Sequence, residues 1–200
     1  MRLASTAASV DGGLYTWVTE LARHSPAALD TAVRLWSEYG LALFALLMLL
    51  SWWRSRSGDP ARTAMALSAP VIVVAAFLAN EVVKSAFHEQ RPCQTLHVVT
   101  VKACPALNDW SFPSNHTAIA AAAATAVWLA DRRLGAAAVT ATALMAASRV
   151  WIGVHYPHDV LAALVTGVLV AWPLTAVARR CAPAVLRLRG TALRPLVATR

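Results

Sequence analysis

Three short groups of residues carry side chains able to grip an anion and to do acid, base and nucleophilic work beside it. Lys84 is followed by Arg91-Pro92, then comes Pro113-Ser114-Asn115-His116, and Ser148-Arg149, His155 and Asp159 close the series. Lys84, Arg91 and Arg149 are fixed cations, and arginine forks match the oxygens of a phosphoryl group. A helix started by the proline of the second group would add unpaired backbone N–H donors near Ser114, which suit an oxyanion. His155 and His116 offer a nucleophile and a general acid. Asp159 stands four residues after His155, where it can hold one ring nitrogen and leave the other free. Chemistry on a phosphate ester needs a set of this size. Enzymes lower barriers by about 8–23 kcal/mol, and one electrostatic donor supplies on the order of 3–4 kcal/mol.

Each residue also has a plainer reading. A single arginine at a membrane edge is ordinarily an anchor, and His155 with Asp159 alone could be a turn with a helix cap. Ordered spacing across three groups is what lends them weight. His116, His155, His158 and Asp159 are chemically acceptable zinc ligands, but three neighbouring cations would repel a metal, so no metal and no cofactor is expected. His158 reads as a solvated turn residue.

The elements that must position these groups follow from composition. The chain has 200 residues, of which 58% are hydrophobic and 14% charged. Mean hydropathy is +0.53. That excludes a disordered chain, and three cysteines exclude a disulfide framework. The expected architecture is all-α: an integral membrane bundle of about five transmembrane helices, occupying residues 1–200 as one unit with its motifs in 84–159. Spans are expected at about Leu29 to Trp53, Thr63 to Phe87, Pro113 to Ala130, Leu134 to Ile152 and Asp159 to Ala178, since crossing takes about twenty residues. Residues 14–33 are too polar to cross but amphipathic enough to lie along the interface, with Pro26 breaking or restarting that helix.

The net charge of +8 does not mark a nucleic-acid protein, because the arginines sit in short gaps between apolar runs instead of on one aromatic-studded face. Arg54, Arg56, Arg62, Arg132, Arg133, Arg179, Arg180, Arg187, Arg189, Arg194 and Arg200 fall in one set of alternate gaps. They outnumber Arg2, Arg23, Arg34, Lys84, Arg91 and Lys102 in the other. The positive-inside rule then puts all three chemical groups outside the cytoplasm. Cys93 and Cys104 share an outer loop, where an oxidising compartment permits a disulfide, with two free thiols the alternative. Glu81 either pairs with Lys84, faces a polar cavity or lies at the interface. Asp109 and Trp110 stand where they could shape a pocket mouth.

Lys84 with Arg91-Pro92, Pro113 to His116, and Ser148-Arg149 with His155 and Asp159 together resemble the three-part signature of the type 2 phosphatidic acid phosphatase superfamily. Asn115 departs from the glycine or aspartate more usual there, while serine and histidine are kept. Within that superfamily, Leu29-Asp30 to Glu38-Tyr39 and Gly153-Val154-His155-Tyr156-Pro157-His158-Asp159 resemble bacterial undecaprenyl-diphosphate phosphatases of the bacitracin-resistance type. The resemblance implies a metal-independent lipid phosphatase of the bacterial plasma membrane with a membrane-lipid substrate. His155 would be the nucleophile, His116 the acid and base, and Asp159 the orienting group. Lys84, Arg91, Ser114, Asn115 and Arg149 would bind phosphate. Phosphatidate, phosphatidylglycerophosphate or a phosphorylated polyprenyl sugar are rival substrates on the same scaffold, and a membrane transport or assembly role is the rival of another class.

Overall fold

The computed structural model describes residues 2–56 and 58–198, with side chains from Asp11 onward; Arg200 and the side chain of Arg2, both counted above, lie outside them. The described residues are helical, with no strand: α1 (Arg2–Arg23), α2 (Ala27–Tyr39), α3 (Leu41–Ser55), α4 (Pro60–Phe87), α5 (Pro92–Thr95), α6 (Asn115–Ala130), α7 (Arg132–Trp151), α8 (Pro157–Ala178), a 3₁₀ turn at Arg179–Cys181, then α9 (Ala182–Leu188) and α10 (Arg194–Val197). Helix boundaries follow local chemistry. Asp59 caps α4 through the Ala61 amide, Asp131 caps α7 through those of Arg133 and Leu134, and Pro60 and Pro157 occupy first helical positions.

α6 is the axis of the bundle. Its run Ala120 to Ala124 is at most 3% exposed, packed against α3, α4, α7 and α8. Alanine is both the best helix former and small enough to let backbones approach closely, and Thr142 on α7 donates to the Ala120 carbonyl at 3.1 Å. The outer helices show the converse pattern. Val71, Val74, Leu78 and Val82 on α4, and Leu161, Val165, Leu169 and Trp172 on α8, are exposed at three- and four-residue spacing. Each helix thus turns an apolar stripe away from the protein, as lipid requires. We expect Ala122→Leu to overpack this axis and cost about 1–3 kcal/mol. In detergent thermal unfolding it should lower the midpoint clearly, and Val74→Leu should not.

Helical stretches Pro60–Thr95, Arg132–Trp151 and Pro157–Leu188 are long and apolar enough to cross a membrane. The first expected span is instead a broken one: α2 and α3 meet at 52° and pass the same test only together. The bend falls at Gly40, where a Cβ would lie 2.4 Å from the Trp36 carbonyl oxygen and 2.9 Å from Met145 Cε of α7, a contact that sequence periodicity does not reveal. α6 is also shorter than expected. Its 16 residues span about 24 Å at 1.5 Å per residue, less than the ~30 Å of hydrocarbon, and helices surround it. The expected five spans therefore resolve into three full-length helices, a bent pair and a short central helix. α1 ends at Arg23 and α2 restarts after Pro26, as the proline requires.

Candidate functional site

The ends of α4 and α7 and the starts of α6 and α8 meet at one end of the bundle, and the loop from His88 to Ser114 closes over them. α7 ends at Trp151 and turns through Gly153, whose φ of +83° and contact with the Thr100 side chain exclude other residues. That turn lays Val154, His155 and Tyr156 into the protein before Pro157 starts α8. Tyr15 of α1 is fully buried beneath it and donates its hydroxyl to the Gly153 carbonyl at 2.9 Å. Asp159, in the first turn of α8, bends back so that Oδ2 accepts from the Tyr156 amide at 2.7 Å and from the Ser111 hydroxyl.

His155 sits in the middle of this arrangement, 2% exposed. Nδ1 lies 3.3 Å from Asp159 Oδ2 and 3.4 Å from Ser111 Oγ, and Nε2 lies 3.2 Å from Arg91 Nη1. A carboxylate beside Nδ1 and a guanidinium donor beside Nε2 assign the proton to Nδ1 and the lone pair to Nε2. Burial pushes the His155 imidazole well below its ordinary pKa, and Arg149, Arg91, Lys84 and His116 act in the same direction. The ring is neutral, the form a nucleophile needs.

The three cations gather around it. Arg91 donates from Nε to the Asp109 carbonyl at 2.9 Å, from Nη2 to the Asp109 carboxylate at 2.9 Å and from Nη1 to the Val154 carbonyl at 2.8 Å. Arg149 donates from Nη1 to Ser37 of α2 at 2.8 Å, while its buried Nε has no acceptor among the described residues. Lys84 Nζ reaches the Trp110 carbonyl at 3.3 Å. Beside Lys84 a cavity of about 250 Å³ opens between Glu81, His88, Asp109, Trp110 and Asn115. A buried guanidinium with an unused N–H, next to an ammonium and a second fork, is a receptor for a polyanion.

Ser114 begins α6, fully buried, and its amide donates to the Asp159 carbonyl at 3.2 Å, which ties the start of α6 to the start of α8. Among the described residues no side chain caps α6, so its first-turn amides are free of a capping acceptor, the arrangement that suits an anion. His116 is the second residue of that helix and half-buried. Asn115 has its side chain turned to α4, donating to Glu81 at 2.7 Å and accepting from Asn80 at 2.7 Å. Glu81 therefore pairs with Asn115 at the edge of the polar cavity, and the Asn115 side chain is committed to α4, which leaves its backbone amide at this helix start. Cys93 and Cys104 are bridged, pinning the loop behind Arg91.

Three contributors carry no sequence signal. Ser111, Ser37 and Tyr15 belong to no spaced motif, and only the fold brings them to Asp159, Arg149 and Gly153. His158 is a correction: it is half-buried, not solvated, with Asp11 on one ring nitrogen and Glu89 and Asp159 on the other. Asp109 and Trp110, whose spacing alone assigned them no place, line the cavity.

Comparison with known proteins bears on this geometry. The profile of the PAP2 superfamily matches residues 64–182, a stretch that contains Lys84 to Asp159. The chain belongs to the PAP2 superfamily. This PAP2 member is 30% identical over 151 residues to the undecaprenyl-diphosphatase BcrC of Bacillus subtilis, covering 74% of this chain and 75% of the relative. It is also 30% identical over 143 residues to the bacitracin transport permease protein BcrC of Bacillus licheniformis, covering 72% and 68%. Two crystal structures share the fold. They are the PAP2-type phosphatidylglycerolphosphate phosphatase of Bacillus subtilis, with TM-score 0.63, 18% identity and coverage of 89% and 92%, and Aquifex aeolicus LpxE, with TM-score 0.58, 23% identity and coverage of 84% and 95%. The PAP2 protein described here is an integral membrane phosphatase.

Proposed function

We propose that this phosphatase hydrolyses a polyprenyl diphosphate, most simply undecaprenyl diphosphate, to the monophosphate and inorganic phosphate at the outer face of the bacterial plasma membrane. The observation that carries the chemistry is His155 held through Nδ1 by Asp159, with Nε2 turned toward Arg91. The substrate reading is supported by the relative named an undecaprenyl-diphosphatase. The arginines gathered at the opposite end of the bundle support the outer side for the site.

In the first step Nε2 attacks the terminal phosphorus, an N–P bond forms, and the P–O bond to the bridging oxygen breaks. His116 gives its proton to the departing monophosphate. Water then attacks the phosphohistidine while His116 takes a proton back, and the N–P bond breaks to release phosphate. Arg91, Arg149, Lys84, the Ser114 hydroxyl and the α6 amides at Asn115 and His116 stabilise the charge on the equatorial oxygens. Arg91 Nη1 moves from the nitrogen to an oxygen as phosphorus arrives. The lipid tail stays in the bilayer, along the apolar surfaces near Val83, Phe87 and Trp151, so the headgroup arrives by lateral diffusion. Three cations leave no electrostatic place for a metal at the attacked phosphate.

The test is phosphate release by purified protein from undecaprenyl diphosphate, phosphatidate, phosphatidylglycerophosphate and a polyprenyl-phosphate sugar, each with and without chelator. The diphosphate should be turned over fastest and chelation should change nothing. Preference for another headgroup overturns the substrate, and activity lost on chelation and restored by a divalent ion overturns the mechanism.

A further inference from the structure

We propose that His158 is a positioning residue: a doubly protonated imidazolium that acts as the counter-ion of Asp159 and fastens helix α1 to the site. Nδ1 lies 3.0 Å from both carboxylate oxygens of Asp11, whose Oδ2 also accepts from the His158 backbone amide at 2.7 Å. Nε2 lies 3.0 and 3.2 Å from the two oxygens of Glu89 and 3.4 Å from Asp159 Oδ1. An ionised carboxylate only accepts hydrogen bonds. With carboxylates on both sides, both ring nitrogens must donate, and a ring with two N–H groups is a cation. The ring lies parallel to Tyr156, centroids 5.2 Å apart and planes 15° apart, and Phe112 flanks it at 5.9 Å, so its orientation is fixed.

This cation answers a need of the neighbouring carboxylate. Asp159 is fully buried, and a buried carboxylate is costly without a positive partner. Its Oδ2 takes Ser111, the Tyr156 amide and His155, all neutral, while its Oδ1 has no hydrogen bond among the described residues and faces only His158. Arg91 is turned to Asp109, Val154 and His155 Nε2 instead. His155 cannot supply the charge, because it must be neutral to attack. His158 therefore supplies it, and Asp11 and Glu89 hold His158 in place from α1 and from the loop after α4.

The inference rests on the phosphohistidine reading. Its test compares His158→Gln in the full-length protein and in an Asp159→Asn background, using a ³²P-labelled polyprenyl diphosphate. We expect kcat to fall about 10- to 100-fold in the first case, the scale of a small misplacement of a reacting group. KM should stay within about two-fold, and the loss should shrink to under about two-fold once Asp159 is already neutral. A residue that merely supports the fold would cost the same in both backgrounds, and that result overturns the proposal. Asp11→Asn, which keeps the imidazole, repeats the comparison if His158→Gln is unstable; its expected loss is about three-fold, again confined to protein with Asp159. Glu89, His158 and Asp159 present ligand atoms within 4.8 Å of one another, so a divalent cation is the rival occupant. Stoichiometric metal in the purified protein, or a chelator reproducing the His158→Gln loss, decides for the metal and against the imidazolium. Activity retained by His155→Ala refutes the phosphohistidine reading separately.

Discussion

His155→Ala should abolish turnover, lowering phosphate release on the order of 10⁴-fold or more, as removal of a covalent nucleophile does. His116→Ala should also be severely impaired, but differently. The departing group of a diphosphate is a phosphate monoester, which leaves without much help, whereas water is a poor nucleophile until a base takes its proton. Loss of His116 should therefore slow the second step more than the first, by about 10²- to 10⁴-fold. With ³²P-labelled substrate and an alkaline quench, His116→Ala protein should accumulate label and His155→Ala protein should carry none. Label on His155→Ala protein would place the nucleophile elsewhere. The wild-type pH profile adds a second reading of the same residue. Burial and the surrounding cations hold the His155 pKa well below its usual range, so the acid limb of kcat/KM should lie below about pH 6.5, the value of an exposed histidine. The sign for stability follows. Below about pH 6.5 the unfolded chain binds a proton at this position that the folded chain refuses, so stability rises with pH up to that point and levels off above it.

Much of the fold was legible because lipid imposes long apolar runs and because α4, α7 and α8 begin or end at residues with plain local signals, such as Asp59, Asp131 and Pro157. What was not legible is tertiary. The bend at Gly40 comes from the approach of Met145, and the shortness of α6 comes from its enclosure by other helices. Lys84, Arg91, Arg149, His155 and Asp159 could be found as a set because their spacing is tied to helix ends that the topology returns to one level. Ser111 and Asp11 could not. They contact Asp159 and His158 across 48 and 147 residues, and nothing in a serine or an aspartate near a helix reports such a partner. The same limit explains His158, whose neighbours in sequence are turn residues and whose neighbours in space are carboxylates.

Arg91→Lys should retain the charge and still lose about 10²- to 10³-fold in kcat/KM, the scale of one preorganised donor removed from a developing oxyanion. The reason lies in the fork. Arg91 directs Nε and Nη2 to Asp109, which fixes the guanidinium plane, and with Nη1 it bonds both the Val154 carbonyl and His155 Nε2. A lysine ammonium has no plane to fix and can serve one of these positions at a time, so the donor that must pass from the nucleophile to the phosphoryl oxygen is no longer aimed. Arg91→Ala should cost more and also lower the unfolding midpoint in detergent. It leaves the Val154 carbonyl without that donor, a penalty of about 1–3 kcal/mol if no water replaces it. The comparison that isolates geometry from charge is Lys84→Arg. Lys84 makes a single long contact at 3.3 Å beside an open cavity, so exchange of one cation for the other there should be tolerated within about ten-fold. Steady-state kinetics on the three variants decide the point: if Arg91→Lys keeps near wild-type kcat/KM, the site needs only positive charge at position 91, and the aimed-fork account fails.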